Sequence, residues 1–218
     1  MEKRENVVEE EIRAEGSSSA RLWRGMCSGS TVRLTVWQKS LLFHGNGYTV
    51  YDDADGRMVF RVENYAQDWR QEAALMDFSG NVLLTIRRRR SMLPSMKEIW
   101  EAFHGDEDAS KLTSKRQPFL KATKDSINNS CKVTLASDAL EPNQAYGYSH
   151  SYMISWSNHK QCSKIYRVAD ARIVAEMDRK HGKMERTIID RDVFSLRVQP
   201  GMNQAIVMAL VMITNSMR

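Results

Sequence analysis

Residues 192–213 read DVFSLRVQPGMNQAIVMALVMI, and this stretch decides the fold. Phe194, Leu196 and Val198 alternate with Ser195 and Arg197 as a half-buried strand does, with Val193 at its start, and Pro200-Gly201 stops the pattern. The run that follows, Ala205-Ile206-Val207-Met208-Ala209-Leu210-Val211-Met212-Ile213, is apolar on every side. A helix of that kind must be buried in protein or in lipid. Spanning a bilayer takes about 20 apolar residues, roughly twice this run, so the segment is predicted to lie inside the protein. A buried strand is the competing reading, favoured by the Ile and Val content. The two alanines, the methionines and the length favour a helix. Gly201 or Asn203 is expected to cap it, and Thr214, Asn215 and Ser216 mark its polar exit.

Upstream of this stretch the pattern is that of short strands and tight turns. Val32, Leu34 and Val36 alternate with Arg33 and Thr35, and Gly45-Asn46-Gly47 leads into Tyr48-Thr49-Val50-Tyr51. Asp53-Ala54-Asp55-Gly56 then suits a hairpin turn before Met58-Val59-Phe60-Arg61-Val62. The device recurs where Ala74-Leu75-Met76 and Val82-Leu83-Leu84-Thr85-Ile86 flank Asp77-Phe78-Ser79-Gly80. A third copy, residues 165–174, aligns without gaps on residues 50–59 at a shift of 115. Two explanations stand side by side: all hairpins look somewhat alike, or the two parts of a barrel use related hairpins. Between the halves, Met96, Ile99, Trp100 and Phe103 at three-to-four spacing predict a short amphipathic helix over Ser95 to His104, ending at Gly105. Asp106 to Asp108 and Lys111 to Arg116 are read as an exposed connection.

Composition bounds the rest. The chain has 218 residues, 42% hydrophobic and 27% charged, which fits one globular domain with a sizeable core. Residues 1–20 form the exception: Met1 to Ser19 hold six Glu against one Lys and two Arg, with no aromatic residue, and predict an acidic disordered tail before a domain at 21–218. The tail carries −3 of a net charge of +5, which leaves +8 on the domain. A basic domain favours polyanionic partners such as phosphoinositide headgroups or nucleic acid. Cys27, Cys131 and Cys162 are odd in number and irregularly spaced, with no secretory h-region before them, so reduced thiols in a cytoplasmic or nuclear protein are expected. No transmembrane segment and no lipid-anchor motif is read, so any membrane contact is expected to be peripheral, at the plasma membrane.

Lys39-Ser40-Leu41-Leu42-Phe43, Gly45-x-Gly47-Tyr48-Thr49-Val50-Tyr51-Asp52, Val59 to Tyr65, Leu83-Leu84-Thr85-Ile86-Arg87-Arg88 and Asp192 to Leu210 together resemble the plant LURP-one-related family. The resemblance covers about Ser30 to Ile213. It implies the tubby C-terminal-like fold, shared with tubby proteins and phospholipid scramblases: a closed antiparallel β-barrel of about twelve strands around a buried hydrophobic C-terminal helix. It also implies a link to plant defence, membrane tethering or transcriptional regulation. Ser110 to Asn129 and Tyr146 to Gln161 depart from the family pattern.

A search for enzyme chemistry finds no G-x-S-x-G elbow, no phosphate-binding G-x-x-x-x-G-K and no H-E-x-x-H, so no catalytic residue, cofactor or metal site is assigned. His159 and Cys162 have a ligand-pair spacing without a second pair. Asp52, Asp53 and Asp55 lack the oxygen count for calcium and are assigned to the turn. Arg87-Arg88-Arg89-Arg90 is the one constellation with a concrete functional reading, since guanidiniums at a strand end can bind phosphate bidentately. Alternation predicts that Arg87 and Arg89 face outward with Leu83 and Thr85, while Arg88 and Arg90 sit towards the barrel mouth. A solvated run that keeps a strand edge soluble is the bland alternative. Lys111, Lys115, Arg116, Lys121 and Lys124 are expected to add basic character in a loop. The expected function is a non-enzymatic binding or regulatory domain, a peripheral phosphoinositide tether or, in second place, a nucleic-acid-associated regulator, with an unknown protein partner.

Overall fold

The computed structural model describes residues 25–38, 47–63, 72–89, 98–105, 117–125, 128–136, 148–157, 162–180 and 192–217. The expected acidic tail, the segment 39–43, Arg90 and the basic segment 111–116 lie outside them.

Twelve strands follow one another: β1 (Val32–Gln38), β2 (Tyr48–Asp52), β3 (Met58–Glu63), β4 (Glu72–Asp77), β5 (Val82–Arg89), β6 (Ile99–His104), β7 (Leu120–Lys124), β8 (Ser130–Ala136), β9 (Tyr148–Ser157), β10 (Cys162–Arg167), β11 (Ile173–Arg179) and β12 (Val193–Val198). Each pairs antiparallel with its sequence neighbours, and β1 pairs with β12 from Val32↔Val198 to Trp37↔Val193, so the sheet closes into a barrel. Closure leaves the wall no unpaired edge. Alternation sends one side chain in two to the interior. The register Phe194↔Val36↔Val50↔Phe60 makes one such inner row, and Leu34, Leu75, Leu84, Leu120 and Leu196 are fully buried.

A twelve-stranded barrel is too wide for wall side chains to fill alone. The remaining space is taken by helix α1 (Gln204–Met217), whose residues Ala205 to Ile213 are 0–4% exposed. Asn203 caps it: its Oδ1 accepts the backbone N–H groups of Ala205 at 2.9 Å and Ile206 at 3.1 Å. The segment before β1 holds the same end, with Gly201 N–H donating to the Ser28 carbonyl at 2.9 Å and Gln204 N–H to the Met26 carbonyl at 3.0 Å. At the far end Thr214 and Ser216 donate their hydroxyls to the carbonyls of Leu210 and Met212, which lets polar residues end a helix inside an apolar barrel.

Two expectations are corrected. Residues 99–104 form strand β6, not the end of a helix, and residues 95–97 lie outside the described residues. The helical spacing arose because this strand is apolar on both faces: Trp100 and Ala102 point inward, while Phe103 lies outside beneath the Arg87 guanidinium, 4.9 Å from its ring centre. Lys121 and Lys124 sit on strand β7, not in a loop.

The related hairpins match in detail. In β2–β3 the register slips between Val50 and Tyr51, so that Val50 faces Phe60 and Tyr51 faces Met58. In β10–β11 it slips between Ile165 and Tyr166, with Ile165 facing Ala175 and Tyr166 facing Ile173. The bulge therefore recurs at equivalent residues. The two hairpins are not related by a half-turn of the barrel, since six strands on from β2–β3 lies β8–β9.

Candidate functional site

Strand β5 ends at the rim where the helix finishes, and it places its arginines as alternation requires. Arg87 faces Glu101 across β6 and Glu72 across β4 on the outer wall, and Arg89 continues that side. Arg88 shares the inner side with Trp100 and meets solvent at the mouth. Arg90 lies outside the described residues.

Each of the three described arginines stands beside a carboxylate: Arg87 Nε lies 3.9 Å from Glu72, Arg88 Nε 3.3 Å from Glu98, and an Arg89 terminal nitrogen 3.8 Å from Glu101. Glu98 is the hub. It also accepts the Trp100 indole N–H at 3.2 Å and lies 3.9 Å from Lys124 Nζ, which in turn donates to the Met217 carbonyl. A cation on the last helical carbonyls opposes the helix dipole. The network thus ties the wall to the end of the central helix.

These pairs reduce the positive potential of the rim. Arg88 and Arg89 keep side-chain exposures of 46% and 62%. Ion pairs this exposed contribute about 0–1 kcal/mol each, so a phosphate offering bidentate geometry can displace a carboxylate at little cost. The sequence concealed the pairing because Glu72, Glu98 and Glu101 are distant along the chain and become neighbours only through strand register.

Other candidate groups are accounted for locally. Asp52 and Asp55 accept the backbone N–H groups of Ala54 and Arg57 within the β2–β3 turn, and the Arg57 hydrogen bonds hold the Asp55 carboxyl below the usual range. Asp53 accepts the Thr35 hydroxyl and pairs with Lys180 at 3.6 Å. Burial pushes the Cys131 thiol up to about 12, which keeps it protonated and non-nucleophilic. No grouping of three His, Cys, Asp or Glu among the described residues could hold a metal ion. His159 lies outside those residues. Among the described residues no helix is long and apolar enough to cross a membrane.

Comparison with known proteins follows the same architecture. The family model described as LURP-one-related matches residues 32–215. The chain is 33% identical to the Arabidopsis thaliana protein LURP-one-related 8 over 87% of its own length and 89% of that protein's, and 34% identical to LURP-one-related 5 of the same plant over 85% and 82%. An X-ray structure of a protein from Arabidopsis thaliana matches 88% of this chain and 94% of that one with a TM-score of 0.59 and 17% identity, which shows the shared fold.

Proposed function

This chain belongs to the LURP-one-related family, and we propose that it acts as a non-enzymatic binding domain that meets anionic, phosphate-bearing membrane headgroups peripherally. The observation that supports this is the filled interior. An enzyme needs a recess in which substrate is held away from water. Here the space within the wall is occupied by helix α1, with Ala205 to Ile213 almost wholly buried. Recognition is left to the outer wall and the two rims. At the rim where the helix ends, Arg88 and Arg89 supply guanidiniums in weak, exchangeable ion pairs, beside the less exposed Arg87 on the outer wall.

The test measures binding of the purified protein to neutral vesicles, to vesicles containing phosphatidylserine or a phosphoinositide, and to duplex DNA. Wild type should bind the anionic vesicles at low salt and release them as salt rises. Substituting Arg87 and Arg89 by Glu should weaken that binding about a hundredfold, since each charge near an anionic surface contributes about 1 kcal/mol and the neighbouring Glu72 and Glu101 reduce the gain. Equal binding by the double variant would remove the rim from the contact. Wild type that ignores anionic vesicles but binds DNA would replace the membrane reading with that of a nucleic-acid-associated regulator.

A further inference from the structure

Four consecutive strands, β7 to β10, contain no aspartate or glutamate: they read LKATK, SCKVTLA, YSHSYMISWS and CSKIYR. Several other parts of the wall set acid against base, as in Arg61 with Glu63, Arg87 with Glu72 and Arg197 with Glu176, although β1 and β12 also lack acids. Of the acids on the bordering strands, Glu101 pairs with Arg89, Glu176 pairs with Lys164 at 3.1 Å and Arg197 at 3.4 Å, and Asp178 stands beyond Glu176, towards the other end of β10 from Tyr166.

Register fixes what this region shows to solvent. Lys132 faces Thr123 on one side and Met153 on the other, and Met153 faces Tyr166, so these four form one row across β7, β8, β9 and β10. The row is on the outside, because the alternate residues Cys131, Val133, Ile154 and Ile165 are buried at 0–2%. Met153 is one of the few large apolar side chains left open, 41% exposed, and Lys132 beside it is exposed with no ion pair among the described residues. Thr134 and Ser151 face each other in the next row and add hydroxyls that can donate to phosphate.

We infer that the outer face of β8 and β9, centred on Lys132 and Met153, is a contact for an anionic lipid surface. The inference rests on the membrane reading above but not on the arginine rim. Positive charge with no competing carboxylate complements a phosphate layer. A flexible thioether chain gains nothing from a soluble phosphate or a duplex backbone, whereas it gains from entry into the headgroup and acyl boundary, with the Tyr166 ring suited to the interface.

The experiment compares wild type, Lys132→Glu, Met153→Ser and Arg33→Glu, an exposed cation on β1, for binding to phosphatidylcholine vesicles with and without phosphatidylserine. Inorganic phosphate serves as a competitor, and melting curves check folding. Lys132→Glu should bind roughly thirtyfold more weakly at low salt. Met153→Ser should bind about fivefold more weakly with wild-type salt dependence. Arg33→Glu should bind as wild type does, and inorganic phosphate at equal ionic strength should not compete better than chloride. Wild type that binds no anionic vesicle defeats the membrane reading itself. Wild type that binds, with Lys132→Glu and Met153→Ser binding equally well, defeats this face alone. A loss with Arg33→Glu as large as with Lys132→Glu shows that binding follows net charge and overturns the inference as well.

Discussion

Ala171 has φ 55°, the left-handed region, and is the non-glycine residue found there among the described residues. It lies in the β10–β11 turn. The equivalent turn of β2–β3, 115 residues earlier, has Gly56 at φ 72°. An L side chain in this conformation costs about 1–2 kcal/mol, and glycine's greater freedom in the unfolded chain offsets about 0.5–1 of it. Ala171→Gly should therefore stabilise the protein by about 0.5–1 kcal/mol. The reverse change, Gly56→Ala, should destabilise by a similar amount for conformational reasons alone, since a Cβ there would meet nothing within 4 Å. In a domain of this size that is about 1–4 °C in Tm, upward for Ala171→Gly and downward for Gly56→Ala, and the double variant should return close to wild type because the turns are distant. Calorimetry and urea midpoints at unchanged m would measure it. A lower Tm for Ala171→Gly, or Gly56→Ala without effect, would refute the reasoning and with it the equivalence of the two hairpins.

Truncation after Gly201 should yield an insoluble chain, because the large helix side chains lost from the interior contribute roughly 1.5–3 kcal/mol each against a total stability of about 5–15; a soluble product with native circular dichroism would contradict this. Leu210→Asp should fail in the same way, as it puts an unpaired charge at a fully buried position. Asn203→Ala should lower stability by about 1–2 kcal/mol in a urea titration, since two buried N–H groups lose their acceptor; an unchanged midpoint would show that the contacts of residues 26–28 suffice.

The barrel was legible in strands such as Leu34-Thr35-Val36 and Phe194-Ser195-Leu196, where one face is polar, and where a hairpin turn announced itself. The helix was legible because Ala205 to Ile213 has no polar side for solvent. Strand β6 was not, since Phe103 is covered from outside by Arg87 and the period of two is lost. Strands β7, β8 and β9 were not recognised either: apart from Met153, their outward residues are mostly serine, threonine and lysine, a composition shared with loops. The partners of Arg87, Arg88 and Arg89 were beyond sequence reading because an ion pair between strands depends on register, and the bulge between Leu75 and Met76 helps set the register that brings Glu72 opposite Arg87.

The same geometry explains why the described arginines of the most basic run stand beside carboxylates while Lys132 does not. Consecutive residues on a strand point to opposite faces, so a run such as Arg87-Arg88-Arg89 is split between the outer wall and the barrel mouth. Residues opposite each other on neighbouring strands have Cβ atoms about 5 Å apart and decide the local potential. For the arginines those neighbours include Glu72, Glu98 and Glu101. For Lys132, an unremarked single lysine in the sequence, they are Thr123 and Met153, on strands without an acid. Screening acts on the two places differently. Raising salt weakens the attraction of both for an anionic surface, but it also loosens the exposed pairs at the rim and frees guanidiniums there, whereas the lysine face has no internal pair to release. Per cation engaged, binding carried by the face should therefore fall more steeply with salt than binding carried by the rim, and the slope measured on the Arg87 and Lys132 variants assigns the contact.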